Sequence, residues 1–192
     1  MTMPSALRKF ALATHLAVSG GWMGAVIAYL ALSLAAMTGR EAQTVRAAWI
    51  GMELTGWYVI VPLALASWLA GLLMALGTKW GLFRHYWVLF SLGLTTFATV
   101  ILLLHMPDVS VLADVAREAE GAALDAGGDH VLSRLSQGDL LHPGVGLVVL
   151  LLIQVLNVYK PRGMTRYGWR KEHERGSALQ RTQRGQPTAL QP

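Results

Sequence analysis

Four windows of this sequence carry no Lys, Arg, Asp or Glu: Phe10 to Gly39, Leu54 to Thr78, His85 to Pro107 and Leu140 to Tyr159. A helix rises about 1.5 Å per residue, so about 20 apolar residues cross a hydrocarbon core about 30 Å thick. Every window reaches that length. Within lipid each backbone N–H and C=O must find a partner inside its own segment, which a helix provides. The expected fold is therefore all-α, a membrane-embedded four-helix bundle, with helices at about 8–38, 47–78, 82–106 and 142–160. Only 14% of the residues are charged, against about 25% in a soluble domain. Arg8 and Lys9 precede the first window, as in a signal peptide, but its apolar run far exceeds an h-region of about 7–15 residues, so it reads as a retained helix.

Basic residues near membrane segments resist translocation, and their distribution orients the chain. Arg8 and Lys9, then Lys79 and Arg84, then eight basic residues from Lys160 to Arg184 fall on one side. The other side holds Arg40 and Arg46 balanced by Glu41 and Glu53, and an Asp108–Asp139 segment with seven acids against Arg117 and Arg134. This predicts a multi-pass protein of the cell membrane with both termini cytosolic. The lipid bilayer is its first partner, and other membrane subunits or a homo-oligomer are the expected protein partners. The tail, 161–192, is basic and reads as largely disordered, with nothing to bury; lipid headgroups account for its charge. Nucleic acid is not an expected partner, because no aromatic platform or binding fold accompanies that charge.

Between the third and fourth helices, Val111, Leu112, Val115 and Ala119 recur at helical spacing, which predicts a short amphipathic outer helix. The run 126–129 should break it, with a second helical piece at 130–136. Gly20 and Gly24 in the first helix permit close approach of another helix or a flat cofactor. Pro62 should kink the second. Trp49, Trp57, Tyr58, Trp80, Tyr86, Trp87, Tyr159 and Trp169 fall near predicted boundaries, where amphipathic rings anchor at headgroup level.

The chain has no cysteine, so a metal must be held by His, Met or oxygen. Depth sorts the six histidines. His15, six residues past Lys9, lies about 9 Å into the apolar layer, where an ionisable ring is either hydrogen-bonded or a ligand. His85 and His105 are separated by about 30 Å along one helix, so no single cofactor takes both. His85 stands at the inner boundary, where His15 is its only candidate partner. His105 closes the third helix and His142 opens the fourth, at matching depth. With Met106 and Glu53 they make a metal-ligand set suited to copper, and both levels are candidate b-type haem sites. The opposing reading is that these residues merely face headgroups. His130 and His173 read as solvent-exposed. No nucleotide-binding, phosphate-cradling or Ser-His-Asp hydrolase motif is present.

The run Gly77-Thr78-Lys79-Trp80-Gly81-Leu82-Phe83-Arg84-His85-Tyr86-Trp87-Val88-Leu89, the run Leu102-Leu103-Leu104-His105-Met106-Pro107, and Leu7-Arg8-Lys9 with His15 ahead of Gly20-Gly21-Trp22-Met23-Gly24 carry a resemblance. Over about residues 5–160 the chain resembles an uncharacterised family of integral membrane proteins (a domain of unknown function). That family is distantly similar to the copper-resistance D-like superfamily, which includes the haem-containing protoporphyrinogen oxidase of bacteria. The resemblance implies a helical membrane fold and a functional role for His15; the acidic outer segment departs from that oxidase's compact form. Three functions follow as expectations: a small membrane subunit or scaffold, a b-type haem redox protein, and a copper-handling protein.

Overall fold

In the computed structural model residues 3–77, 81–118, 139–161 and 163–184 are described. They form five helices and no strand: α1 (Ser5–Thr38), α2 (Ala42–Gly77), α3 (Tyr86–Glu118), α4 (Leu141–Tyr159) and α5 (Arg166–Arg184). The first four are long and apolar enough to cross a membrane, so the fold is that of a multi-pass helical membrane protein. Each packs on its neighbour in sequence, and α4 closes the ring against α1. The end holding the start of α1 and the end of α4 is here the terminal end; the opposite one is the distal end.

Helices α1 to α3 have 33 to 36 residues, about 50 Å each, which exceeds the hydrocarbon thickness by several turns. Helix α4, with 19 residues, does not. The surplus of the long helices gathers at the distal end, where Trp49, Met52, Met106, Val109 and Ala113 are fully buried. Phe90, Leu69, Leu73 and Leu104 stay exposed along the spanning stretches, as lipid-facing side chains do.

Several expectations need correction. Helix α1 begins at Ser5 and α2 at Ala42, ahead of the predicted 8 and 47. Helix α3 does not stop near residue 106; it runs through Pro107 to Glu118. The amphipathic stretch is thus helical but continuous with α3. Its buried face is Val109, Ala113 and Ala116, flanked by Leu112 and Val115, while Val111 is exposed. Packing on the first half of α2 outweighs the one hydrogen bond Pro107 removes, since tertiary burial contributes most of a helix's stability. Ala119, the expected break at 126–129 and the piece at 130–136 lie outside the described residues.

Around Pro62 the disturbance takes the form of a π-helical stretch, Gly56–Ile60. It lies just ahead of the residue that cannot donate, and such single π turns recur at functional sites. Trp49 is a core residue, 1% exposed, not a headgroup anchor. Trp57, Tyr58, Tyr86, Tyr159 and Trp169 are partly or largely exposed. A Cβ added at Gly20 or Gly24 would meet no atom of another described helix within 4 Å, whereas one at Gly21 would touch Leu63.

The tail is helical from Arg166 to Arg184, where disorder was expected. Thr165 caps it, its Oγ1 accepting from the Gly168 N–H at 3.1 Å, a cap of the usual kind. The same hydroxyl donates to the Phe83 carbonyl, and the Thr165 N–H donates to the Arg84 carbonyl at 3.0 Å. Gly168 lies so close that an added Cβ would stand 2.6 Å from the Arg84 oxygen. Within the helix Lys171 pairs with Glu174 at 3.6 Å and the exposed His173 ring stacks on Trp169. Composition conceals such i,i+3 and i,i+4 pairs, which support an exposed helix.

Candidate metal centre

At the distal end α4 starts level with His105 of α3, and the two residues before α4 bring Asp139 into the bundle. Asp139 is 9% exposed. Its backbone N–H donates to Ser33 Oγ of α1 at 2.9 Å. One carboxylate oxygen, Oδ2, accepts from His105 Nε2 at 2.6 Å and from the Tyr29 hydroxyl at 3.4 Å. The other, Oδ1, lies 3.2 Å from Nδ1 of His142, the second residue of α4. The two imidazoles stack, centroids 3.8 Å apart and planes 16° from parallel. Three elements therefore converge on one carboxylate, and one ligand atom each from His105, Asp139 and His142 falls within 4.8 Å of the others.

Electrostatics favours the ionised carboxylate. Burial alone raises the Asp139 pKa, but the hydrogen bond and charge of His105, then those of His142, hold it below the usual carboxylate range. Asp139 also precedes the positive end of the α4 dipole, which stabilises an anion. The centre adjoins a cavity of about 320 Å³ whose wall is almost wholly apolar, including Phe97, Val145 and Leu141, all exposed on their outer sides.

Of the expected ligand set, His105 and His142 come together. Glu53 does not join them; its carboxylate pairs with Arg117, which also donates to Asp114 at 2.7 Å. Met106 is fully buried and lines the cavity, but its Sδ and Cε pack on Gly56, where an added Cβ would collide with both. Asp139, Tyr29 and Ser33 escaped the sequence reading. The one available signal for Asp139 was its position three residues ahead of His142 at a helix start.

His15 lines a second cavity of about 220 Å³ at the terminal side, and His85 is not among the residues around it. His85 sits at the start of α3, bridged through the backbone to Met164. Trp22 and Leu150 line both cavities and separate the two levels. Haem does not fit between His105 and His142 as the chain is arranged. Stacked rings 3.8 Å apart that share a carboxylate leave no space for a porphyrin between them. A metal ion held by two imidazoles and a carboxylate suits the distal donor set.

No family profile, curated protein or solved structure matches this chain. Fold and site together define a class: a multi-pass helical membrane protein with a His-Asp-His cluster where its short fourth helix begins.

Proposed function

We propose that this chain is a membrane metal-binding protein that takes a divalent transition-metal ion, copper(II) foremost, on His105, Asp139 and His142. The observation that carries the reading is the convergence of these three ligand atoms from two helices and the turn before one of them. With ligand bonds of about 2.0–2.1 Å, neighbouring ligand atoms in the tetragonal geometry of copper(II) stand about 2.9 Å apart. The Asp139–His105 and Asp139–His142 separations, 2.6 and 3.2 Å, lie on either side of that spacing. Tyr29 and Ser33 act as outer supports, keeping the carboxylate aimed. Imidazole and carboxylate donors accept copper(II), nickel(II) and zinc(II), and the Irving–Williams order favours copper. The resemblance to copper-resistance D-like proteins points the same way. The basic-residue distribution supports an outer-face position for this centre in the cell membrane, with both termini cytosolic.

Copper(II) titration of untagged protein, followed by dialysis and metal analysis, tests the reading. The expected result is one ion per chain, with an electron paramagnetic resonance signature of nitrogen ligation. His105→Ala and Asp139→Ala should each weaken binding at least tenfold, while Glu53→Gln leaves it unchanged. A chain that retains no ion, or keeps it when His105 and His142 are both Ala, sinks the proposal.

A second reading, a small subunit docking on other membrane helices, rests on Gly20 and Gly24, whose outward faces are open. Leucine at both positions should abolish cross-linking to partner helices while leaving metal content intact.

A further inference from the structure

All four membrane-spanning helices contribute to the terminal cavity of about 220 Å³. Its wall combines the indoles of Trp22, Trp68 and Trp87 with polar groups set well inside the apolar windows. Two of those polar atoms, His15 Nδ1 and Ser91 Oγ, are buried without a hydrogen-bond partner. His15 lies six residues past Lys9, about 9 Å into the apolar layer.

Hydroxyls on these helices ordinarily satisfy themselves by donating back to the carbonyl four residues earlier. Ser19 does so to His15 at 2.6 Å, Thr95 to Ser91 at 2.7 Å, Thr96 to Leu92 at 2.8 Å and Thr99 to Thr95 at 2.8 Å. Ser91 does not, and its hydroxyl stays buried at the cavity wall. Two unpaired polar atoms on helices α1 and α3, around one aromatic-walled space, ask for a ligand that both donates and accepts. A buried polar atom without a partner is costly and rare, so a bound group is the economical account.

We propose that this cavity binds the ring headgroup of a membrane quinone. A flat ring fills the space among the indoles. In the quinol form one hydroxyl oxygen accepts from the Ser91 hydroxyl and the other hydroxyl donates to His15 Nδ1. The isoprenoid tail requires a route into lipid, and Leu12, Leu16 and Val158, which border the cavity, are exposed on the membrane-facing side. The ring alone occupies the site. This assignment is independent of the distal metal centre.

The test uses the full chain in nanodiscs, without added metal, titrated with a short-tailed benzoquinol while tryptophan emission is recorded. Three of the indoles line the site, so binding quenches them directly. The expected result is saturable quenching at one ligand per chain, weakened at least tenfold by Ser91→Ala and by His15→Ala. Ser91→Ala should also leave the Tm unchanged or higher, since it removes an unpaired buried hydroxyl; this keeps the test valid if His15→Ala fails to fold. Quenching that rises linearly without saturation, or that is the same in wild type and Ser91→Ala, overturns the proposal. So does a Ser91→Ala variant that loses Tm at unchanged affinity, because the hydroxyl would then be structural.

Discussion

The distal and terminal ends of this bundle are built by different physics. At the distal end large side chains such as Trp49, Met52 and Met106 are sealed between α1, α2 and α3. In the terminal half the buried positions are mostly small or hydroxylic, with Ala64, Ser67, Ala75, Ser91 and Thr95 inside and Phe90, Leu69 and Leu73 outside. The distal turns exceed the length needed to cross lipid, so their apolar faces meet water unless they meet each other, and the hydrophobic effect packs them. In the spanning half, lipid tails solvate Leu as well as another helix does, so association depends on close approach and hydrogen bonds. A rigid aqueous cap with a His-Asp-His cluster beneath it thus sits on a looser spanning half that contains a cavity.

That contrast breaks most readily at Trp49. Trp49→Ala should cost about 3–5 kcal/mol, as burial of a large aromatic implies, whereas Leu69→Ala on the lipid face should cost under about 0.5 kcal/mol. Equal losses in reversible denaturation of the two variants would mean that the cap is not held by burial. Next in size is Asp139→Ala, which strips two imidazoles and a tyrosine hydroxyl of their common carboxylate but keeps the backbone bond to Ser33. A loss of about 1.5–3 kcal/mol is expected from the charge-assisted bonds, together with loss of bound copper; Asp139→Asn should keep much of the stability and little of the metal.

Gly56→Ala sharpens the boundary between the halves, because its Cβ would press on the buried Met106 thioether. Overpacking there should cost about 1–3 kcal/mol, and Met106→Ala in the same chain should relieve part of it, measurable as a double-mutant coupling. A smaller, local effect is expected from Gly168→Ala, whose Cβ meets the Arg84 carbonyl. Limited proteolysis should cut α5 sooner while the unfolding of α1 to α4 is unchanged. The smallest effect belongs to Arg117→Ala at the exposed rim, which should leave copper binding untouched.

Much of the fold was legible in the residues. The four charge-free windows located the crossings, and helical rise alone set His105 and His142 at one depth and His85 at the other. Glu53 was misplaced because depth says nothing about azimuth: it lies near the right level but turns toward Arg117. Pro107 read as a terminus since its missing N–H is a local fact, while the packing of Val109 and Ala113 on α2 is not. Trp49 looked like an interfacial anchor for the same reason, its burial depending on how far α3 extends.

Crossing number, helical class and the depth of each histidine follow from the sequence because the cost of placing a residue in lipid is paid locally, residue by residue along a rod of known rise. Tertiary structure alone decided that Asp139 joins the imidazoles, that Met106 turns to Gly56, and that Ser91 and His15 border one cavity. Those outcomes rest on how the helices are rotated and how far each overruns its neighbour, and neither quantity is written in the residues of any single helix.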